Sequence, residues 1–95
     1  MIEIVEKTIA EHFRISRSDF YSKSQERDVT DAKHFLWYVL NTTYGLRVGI
    51  IAMAYSTSRQ NVHYSITLIR EGIKFQPFYE KHYHDILKEI RQNKK

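Results

Sequence analysis

Residues 52–64 read Ala-Met-Ala-Tyr-Ser-Thr-Ser-Arg-Gln-Asn-Val-His-Tyr, and they gather the chain's most specific hydrogen-bonding side chains. Arg59, Gln60 and Asn61 stand together. An Arg fork matches the two major-groove acceptors of guanine, and a Gln or Asn amide matches the acceptor and donor of adenine. With Val62 turned inward, a helical rotation of about 100° per residue sets Gln60, Tyr64, Thr67 and Glu71 on the opposite face, with His63 beside them. Ser56, Thr57 and Ser58 precede this run. Their hydroxyls can donate to phosphate oxygens at a helix start, where free backbone N–H groups favour anions. Such chemistry recognises base edges and phosphates and makes or breaks no covalent bond.

Two helices must hold this segment at a fixed angle. Ala52 is small where a second helix would cross, Ser56 is small at a tight turn, and Val62 is a β-branched residue able to point back into the first helix. The ten-residue step from Ala52 to Val62 fits a helix-turn-helix. Arg47 to Tyr55 reads as its first helix, with Val48, Ile51, Ala52 and Tyr55 inward. Arg59 to about Glu71 reads as its second, with Val62, Ile66, Ile69 and Ile73 buried and Gly72 ending it. Upstream, Ile2, Val5, Ile9 and Phe13 share one face of a first helix, and Glu3, Glu6, Lys7 and Glu11 lie off that face. Ser16 and Asp19 fit a capping box ahead of a short helix through Phe20 and Tyr21. Residues 23–27 are a polar loop. A third helix opens with Asp28 as N-cap and carries Val29, Ala32, Leu36, Val39 and Leu40, broadened by Phe35, Trp37 and Tyr38. It stops at Tyr44-Gly45. Pro77 starts a sixth helix to about Gln92, with Phe78, Tyr79, His82, Tyr83, Ile86, Leu87 and Ile90 at helical spacing and mostly core. The fold expected is therefore all-α: one domain over residues 1–95, a bundle of about six helices, the helix-turn-helix at about 47–72 and the C-terminal helix at about 77–92.

Composition agrees. The 95 residues suffice for one core, and three Gly and one Pro are few for a sheet protein. Net charge is +4, which suits an anionic partner. Cysteine is absent, excluding disulfides and thiolate zinc sites. His82 and His84 are two apart and point different ways on a helix, and His12, His34 and His63 are far apart in sequence, so no metal or other cofactor is expected. There is no Gly-rich phosphate loop and no paired-carboxylate pocket, so neither an enzyme nor a nucleotide binder is expected. The N-terminus carries no basic-then-apolar leader, and no apolar run approaches the ~18 residues of a membrane span, which points to a cytoplasmic protein without a membrane partner.

Phe20-Tyr21-Ser22-Lys23-Ser24, Arg27-Asp28-Val29 and Ala32-Lys33-His34 follow the pattern of one known stretch, roughly Leu-Leu-Ser-Lys, a basic residue, Val, then Ala-Arg-Gln. Tyr44-Gly45-Leu46 followed by residues 51–66 resembles the signature Ile-Gly-x-x-Phe leading to Gly-x-Arg-Asp-His-[Ser/Thr]-Thr-Val. Across residues 2–73 the chain resembles the C-terminal DNA-binding domain of the bacterial chromosomal replication initiator DnaA. That resemblance implies a helix-turn-helix that binds short boxes of double-stranded DNA, with the signature segment in the major groove and an Arg of the basic loop in the minor groove. By position, the implied base-reading residues are Ser58, Arg59, Gln60, Asn61, His63 and Tyr64. The implied backbone contacts are Lys23, Arg27 and Lys33, joined by Arg47, Ser56 and Thr57 from the reading of the residues themselves.

The departures shape the expectation. Ser56-Thr57-Ser58-Arg59-Gln60-Asn61 replaces the family's Gly-x-Arg-Asp-His-Thr-Thr core with one residue fewer, so the standard origin box is not the expected target. Ser24 and Gln25 replace basic residues, leaving Arg27 for the minor groove. No ATPase domain accompanies the 95 residues, so the expectation is a free-standing relative of bacterial or phage type, serving replication or its regulation. The sixth helix extends beyond the family pattern and is a candidate homodimer surface. The rival reading is a protein-interaction module or transcriptional regulator, motivated by the altered signature and by Glu26, Asp28 and Asp31 near the loop.

Overall fold

In a computed structural model that describes residues 2–93, the chain is all-helical, with no strand among the described residues. Five α-helices follow in order: α1 (Ile2–Phe13), α2 (Arg27–Thr42), α3 (Val48–Ala54), α4 (Arg59–Phe75) and α5 (Pro77–Asn93). The expected second helix is a single 3-10 turn, Arg17–Tyr21, so the α-helix count is five where six were expected. Its sequence is too short to grow: Ser16 N donates to Asp19 Oδ2 at 3.0 Å, and Ser22 closes the turn on the Asp19 carbonyl at 3.2 Å.

α2 forms the centre. Its length and its wide apolar face let it pack on α1, α3, α4 and the 3-10 turn together, while α5 lies across α1 and α4. Val29, Ala32, Phe35, Leu36, Trp37, Val39 and Leu40 are all buried, as the periodicity requires. The helix begins one residue before the expected Asp28 cap, at Arg27. Glu26 is its N-cap and makes no side-chain capping bond. At its far end Gly45 takes φ +71°, and the chain turns with Leu46 N donating to the Leu40 carbonyl at 3.0 Å.

α4 does not end at Gly72. It runs on to Phe75 because Gly72 serves packing and not termination. A Cβ there would sit 2.7 Å from Tyr79 Cγ, so the bare backbone lets α5 close on α4. The C-terminal helix also differs from its expected core stripe. Ile86 and Ile90 are fully buried and Tyr79 and Tyr83 pack on the core, but Phe78 is 57% exposed beside Phe75.

α1 buries more than its apolar stripe. Val5, Ile9 and Ala10 are joined inside by Glu6 and Thr8, and Ile2 is left at the surface. Thr8 is satisfied by Asn93 of α5, whose amide donates at 2.7 Å. His12 links the same two helices: its Nδ1 lies 3.2 Å from Glu89 and its Nε2 lies 2.7 Å from His82 Nδ1. With the Nδ1 proton directed at the carboxylate, Nε2 accepts from His82, and one proton lies between the two rings. No described helix is long and apolar enough to cross a membrane.

Candidate nucleic-acid interface

The segment that carries the chemistry is built around the turn between α3 and α4. α3 stops at Tyr55, and Ser56 takes the left-handed φ of +52°. Thr57 N then reaches back to the Ala52 carbonyl at 2.9 Å and Ser56 N to the Met53 carbonyl at 3.4 Å, a pattern that satisfies the last orphan acceptors of α3. Ser58 caps α4, with its hydroxyl accepting from Asn61 N at 3.1 Å. Ala52 and Val62 are both buried, as the sequence pattern requires.

A carboxylate inside the protein fixes this turn. Glu6 of α1 is fully buried. Its Oε1 accepts two bonds from Arg17, at 2.8 Å and 3.2 Å, and its Oε2 accepts from the Tyr21 hydroxyl at 2.5 Å and the Tyr55 hydroxyl at 2.6 Å. Burial alone would raise this carboxyl. The hydrogen bonds from Tyr21, Tyr55 and Arg17, with the Arg17 charge, outweigh it and hold the group below its ordinary value. Burial and the facing carboxylate push the Tyr55 hydroxyl far above the usual phenol range and raise Tyr21 as well. The two tyrosine rings stack at 5.1 Å, so the residue that ends α3 is tied to the chain that enters the 22–26 loop.

That loop is ordered by its own serines. The Ser22 hydroxyl donates to the Asp19 carbonyl at 2.8 Å, Ser24 N to Ser22 Oγ at 3.3 Å, and Glu26 N to Ser24 Oγ at 3.2 Å. Lys33 of α2 pins it from behind, its ammonium donating to the Ser22 carbonyl at 2.6 Å. Lys33 is thus placed first as a strap for the loop and second as a surface charge.

The expected contact residues fall into two groups flanking the first turn of α4. On one side Lys23, Lys33, Ser56, Thr57, Asn61 and Tyr64 line a cleft of about 410 Å³ between the loop, α2 and the turn. On the other, Arg47, Arg59 and His63 share an open groove with Gly49, Ile50 and Met53 of α3. Residues 59 and 63 lie about 200° around the helix from residue 61, which explains the division. Gln60 projects between the two, exposed. Arg27 lines neither; it is 91% exposed and faces Asp31 at 3.9 Å, a weak surface pair.

Two expected base readers are engaged locally. The Asn61 amide donates to Thr57 Oγ1 at 3.0 Å. The Arg59 side chain lies over Gly49, where a Cβ would stand 3.2 Å from its Nε, so the guanidinium rests on α3. Tyr64 stands edge-on to His34 at 6.0 Å and is 63% exposed. Burial first, then Lys33, lowers the His34 imidazole against the pull of Asp31, so the ring faces the cleft uncharged at neutral pH.

Residues the sequence did not single out matter as much. Glu6, Arg17 and Tyr21 were absent from the expected site, and Tyr55 was expected only as core. The signal available was positional: Glu6 adjoins Val5 and stands three residues from Ile9, on the border of the buried stripe. Trp37 also lines the cleft. Its Nε1 is buried and makes no hydrogen bond to any described residue. Among the described residues no group of three His, Cys, Asp or Glu is placed to hold a metal ion. No protein-family model matches the chain, and no curated protein matches it in sequence.

Proposed function

We propose that the chain binds double-stranded DNA sequence-specifically, with α3 and α4 acting as a helix-turn-helix and no chemistry done on the DNA. The observation that carries this reading is the turn. Ser56 adopts a positive φ at the position where the motif favours Gly, Ala52 and Val62 are buried at the crossing, and Arg59, Gln60, His63 and Tyr64 remain exposed on the first turns of α4. Arg59, Gln60 and Asn61, with Ser58, His63 and Tyr64, are the base-reading candidates. Arg59 must lift off Gly49 and Asn61 must leave Thr57 to do so, each a rotamer change on an exposed side chain. Lys23, Arg27, Arg47, Ser56 and Thr57 supply phosphate contacts, and Lys33 holds the loop that presents Lys23. The resemblance to the DnaA C-terminal domain suggests replication or its regulation as the setting, in the cytoplasm, with a DNA target other than the standard origin box.

The test separates the two sets of residues. On a duplex selected from a random library, Arg59→Ala is expected to cost about 1–3 kcal/mol and to relax preference at one base pair. Lys23→Ala is expected to weaken all duplexes alike and to lower the salt slope by about one. If neither changes affinity, α4 does not read DNA. One observation favours the rival reading, a protein-interaction module or transcriptional regulator. Met53 is 78% exposed and Ile50 51% exposed beside Arg47 and Arg59, an apolar strip with a cationic rim.

A further inference from the structure

We propose that the cleft between residues 22–25, α2 and the α3–α4 turn binds a small planar ring bearing one anionic group, and that its occupant controls access of DNA to α4. The second half rests on the DNA-binding reading; the first half stands without it.

Size comes first. A cleft of about 410 Å³ far exceeds what a backbone phosphate fills and falls in the range of roughly 300–1,000 Å³ found for small-molecule sites. The lining then selects the ligand. Among the residues that form the cleft there is no Asp or Glu, while Lys23 and Lys33 both line it, Lys33 with its ammonium on the Ser22 carbonyl. Tyr21, Trp37 and Tyr64 contribute ring surface, and the neutral His34 adds a fourth ring. Ser24, Ser56 and Thr57 supply hydroxyls around the rim. Lysines with no carboxylate in the lining itself favour an anion, the Glu6 charge behind Tyr21 and Tyr55 being met by Arg17, and aromatic walls favour a flat apolar body.

Two further observations set this cleft apart from an ordinary gap beside a loop. Its walls are fixed from within: Glu6 holds Tyr21 on the loop side and Tyr55 on the turn side through one carboxylate oxygen, and Lys33 holds the Ser22 carbonyl at 2.6 Å. A site whose walls are set before binding loses little entropy in ordering them. The Trp37 indole also lines the cleft, and its buried N–H makes no hydrogen bond to any described residue, a donor left over at the cleft wall. An occupant here rests against Ser56, Thr57 and Asn61, directly ahead of the first turn of α4, and engages Lys23, so it meets the DNA backbone in competition.

The same chemistry has two sources, a mononucleotide and an aromatic carboxylate. Trp37 is the only Trp and lies in the cleft, so its emission reports occupancy directly. The full chain is titrated with thymidine 5′-monophosphate, with benzoate, with inorganic phosphate, and with the uncharged thymidine and benzamide. The expected result is a saturable change in Trp37 emission with at least one ring-bearing anion, with a midpoint below ~1 mM. The matching neutral ring and inorganic phosphate bind at least tenfold more weakly, the factor one charge-assisted hydrogen bond supplies at about 1.4 kcal/mol. Whichever anion saturates identifies the source. Lys23→Ala and Tyr64→Ala, both at exposed positions, are expected to weaken it about tenfold without moving the thermal midpoint of the protein. The proposal is overturned if neither anion saturates by ~10 mM, or if the neutral ring binds as well as its charged counterpart. A saturating anion that leaves affinity for selected duplex unchanged overturns the control of DNA access alone. Absence of DNA binding beside a saturating anion overturns the DNA reading and leaves the site standing.

Discussion

Removing the Glu6 carboxylate is expected to loosen the protein at the α3–α4 turn, and the size of the loss follows from what each partner can do without it. Arg17 is half exposed, so water replaces most of what it loses, and its share is at most ~1 kcal/mol. Tyr21 is exposed as well and can also turn to water. Tyr55 cannot, because it is buried at the end of α3, and an unpaired buried hydroxyl costs about 1–3 kcal/mol. The vacated side-chain volume in Glu6→Ala adds of order 1 kcal/mol. The sum is about 3 kcal/mol, a large part of the stability of a chain this size. With a urea dependence near 1 kcal/mol per molar, the unfolding midpoint falls by ~2–3 M. Tyr55→Phe alone costs only ~1 kcal/mol, because Glu6 keeps Tyr21 and Arg17 as donors. The double variant Glu6→Ala/Tyr55→Phe therefore loses at least ~1 kcal/mol less than the sum of the singles, since the stranded hydroxyl is gone. Urea unfolding of the four proteins closes the cycle. A Glu6→Ala loss below ~1 kcal/mol, or strict additivity, would refute the claim that Glu6 pins the turn.

Four further outcomes follow from the same structure. His34 and His82 both have imidazoles lowered mainly by burial, His82 further by His12, so the unfolded chain takes up their protons first. Stability is expected to hold above about pH 7 and to fall as pH drops from about 6.5 through the folded-state values; urea midpoints that stay flat from pH 7 to 5 would contradict this. Gly72→Ala should destabilise by about 1–3 kcal/mol because the new Cβ meets Tyr79, against the gain of up to ~1 kcal/mol that Ala brings to a free helix, and thermal melts read the sign. Ser56→Gly should leave stability unchanged or raise it by up to ~1 kcal/mol, whereas Ser56→Val should lower it by more than that, since only the first tolerates the positive φ. Ser58→Ala removes the cap on Asn61 N and is expected to cost ~1 kcal/mol in the same melts.

Most of the helical layout was legible from periodicity. Most of the stripes of α2 and α4 is buried where the 3.6-residue repeat placed it, with Tyr38 and Ile73 only half-buried at the edges, and Ser58 caps α4 as its position suggests. The errors have local physical causes. Gly72 looked like a terminator because Gly often ends helices, but a residue without a side chain is equally what a close crossing needs, and Tyr79, seven residues on, decides between the two. The 3-10 turn at Arg17–Tyr21 carries capping residues that a helix would also carry, and its length alone separates them. Glu6 was read by its charge and not by its place beside Val5, because nothing local reveals that Arg17, Tyr21 and Tyr55 converge on it. The His12–His82 bond spans 70 residues and lies beyond any pattern along the chain. In the candidate site the residue types were visible and their engagement was not. Asn61 reads as a free amide until Thr57 is seen to hold it, and Arg59 reads as an extended donor until Gly49 is seen beneath it.

Selection from a random duplex library, followed by affinity measurement on the recovered sequence against scrambled DNA at several salt concentrations, tests the DNA-binding claim most directly. The expected result is one enriched sequence, bound at least ~10³-fold more tightly than scrambled duplex, with affinity falling linearly in log salt. No enrichment, together with no binding to any duplex at ~50 mM salt, would contradict it and leave the exposed Ile50 and Met53 strip as the surface to explain.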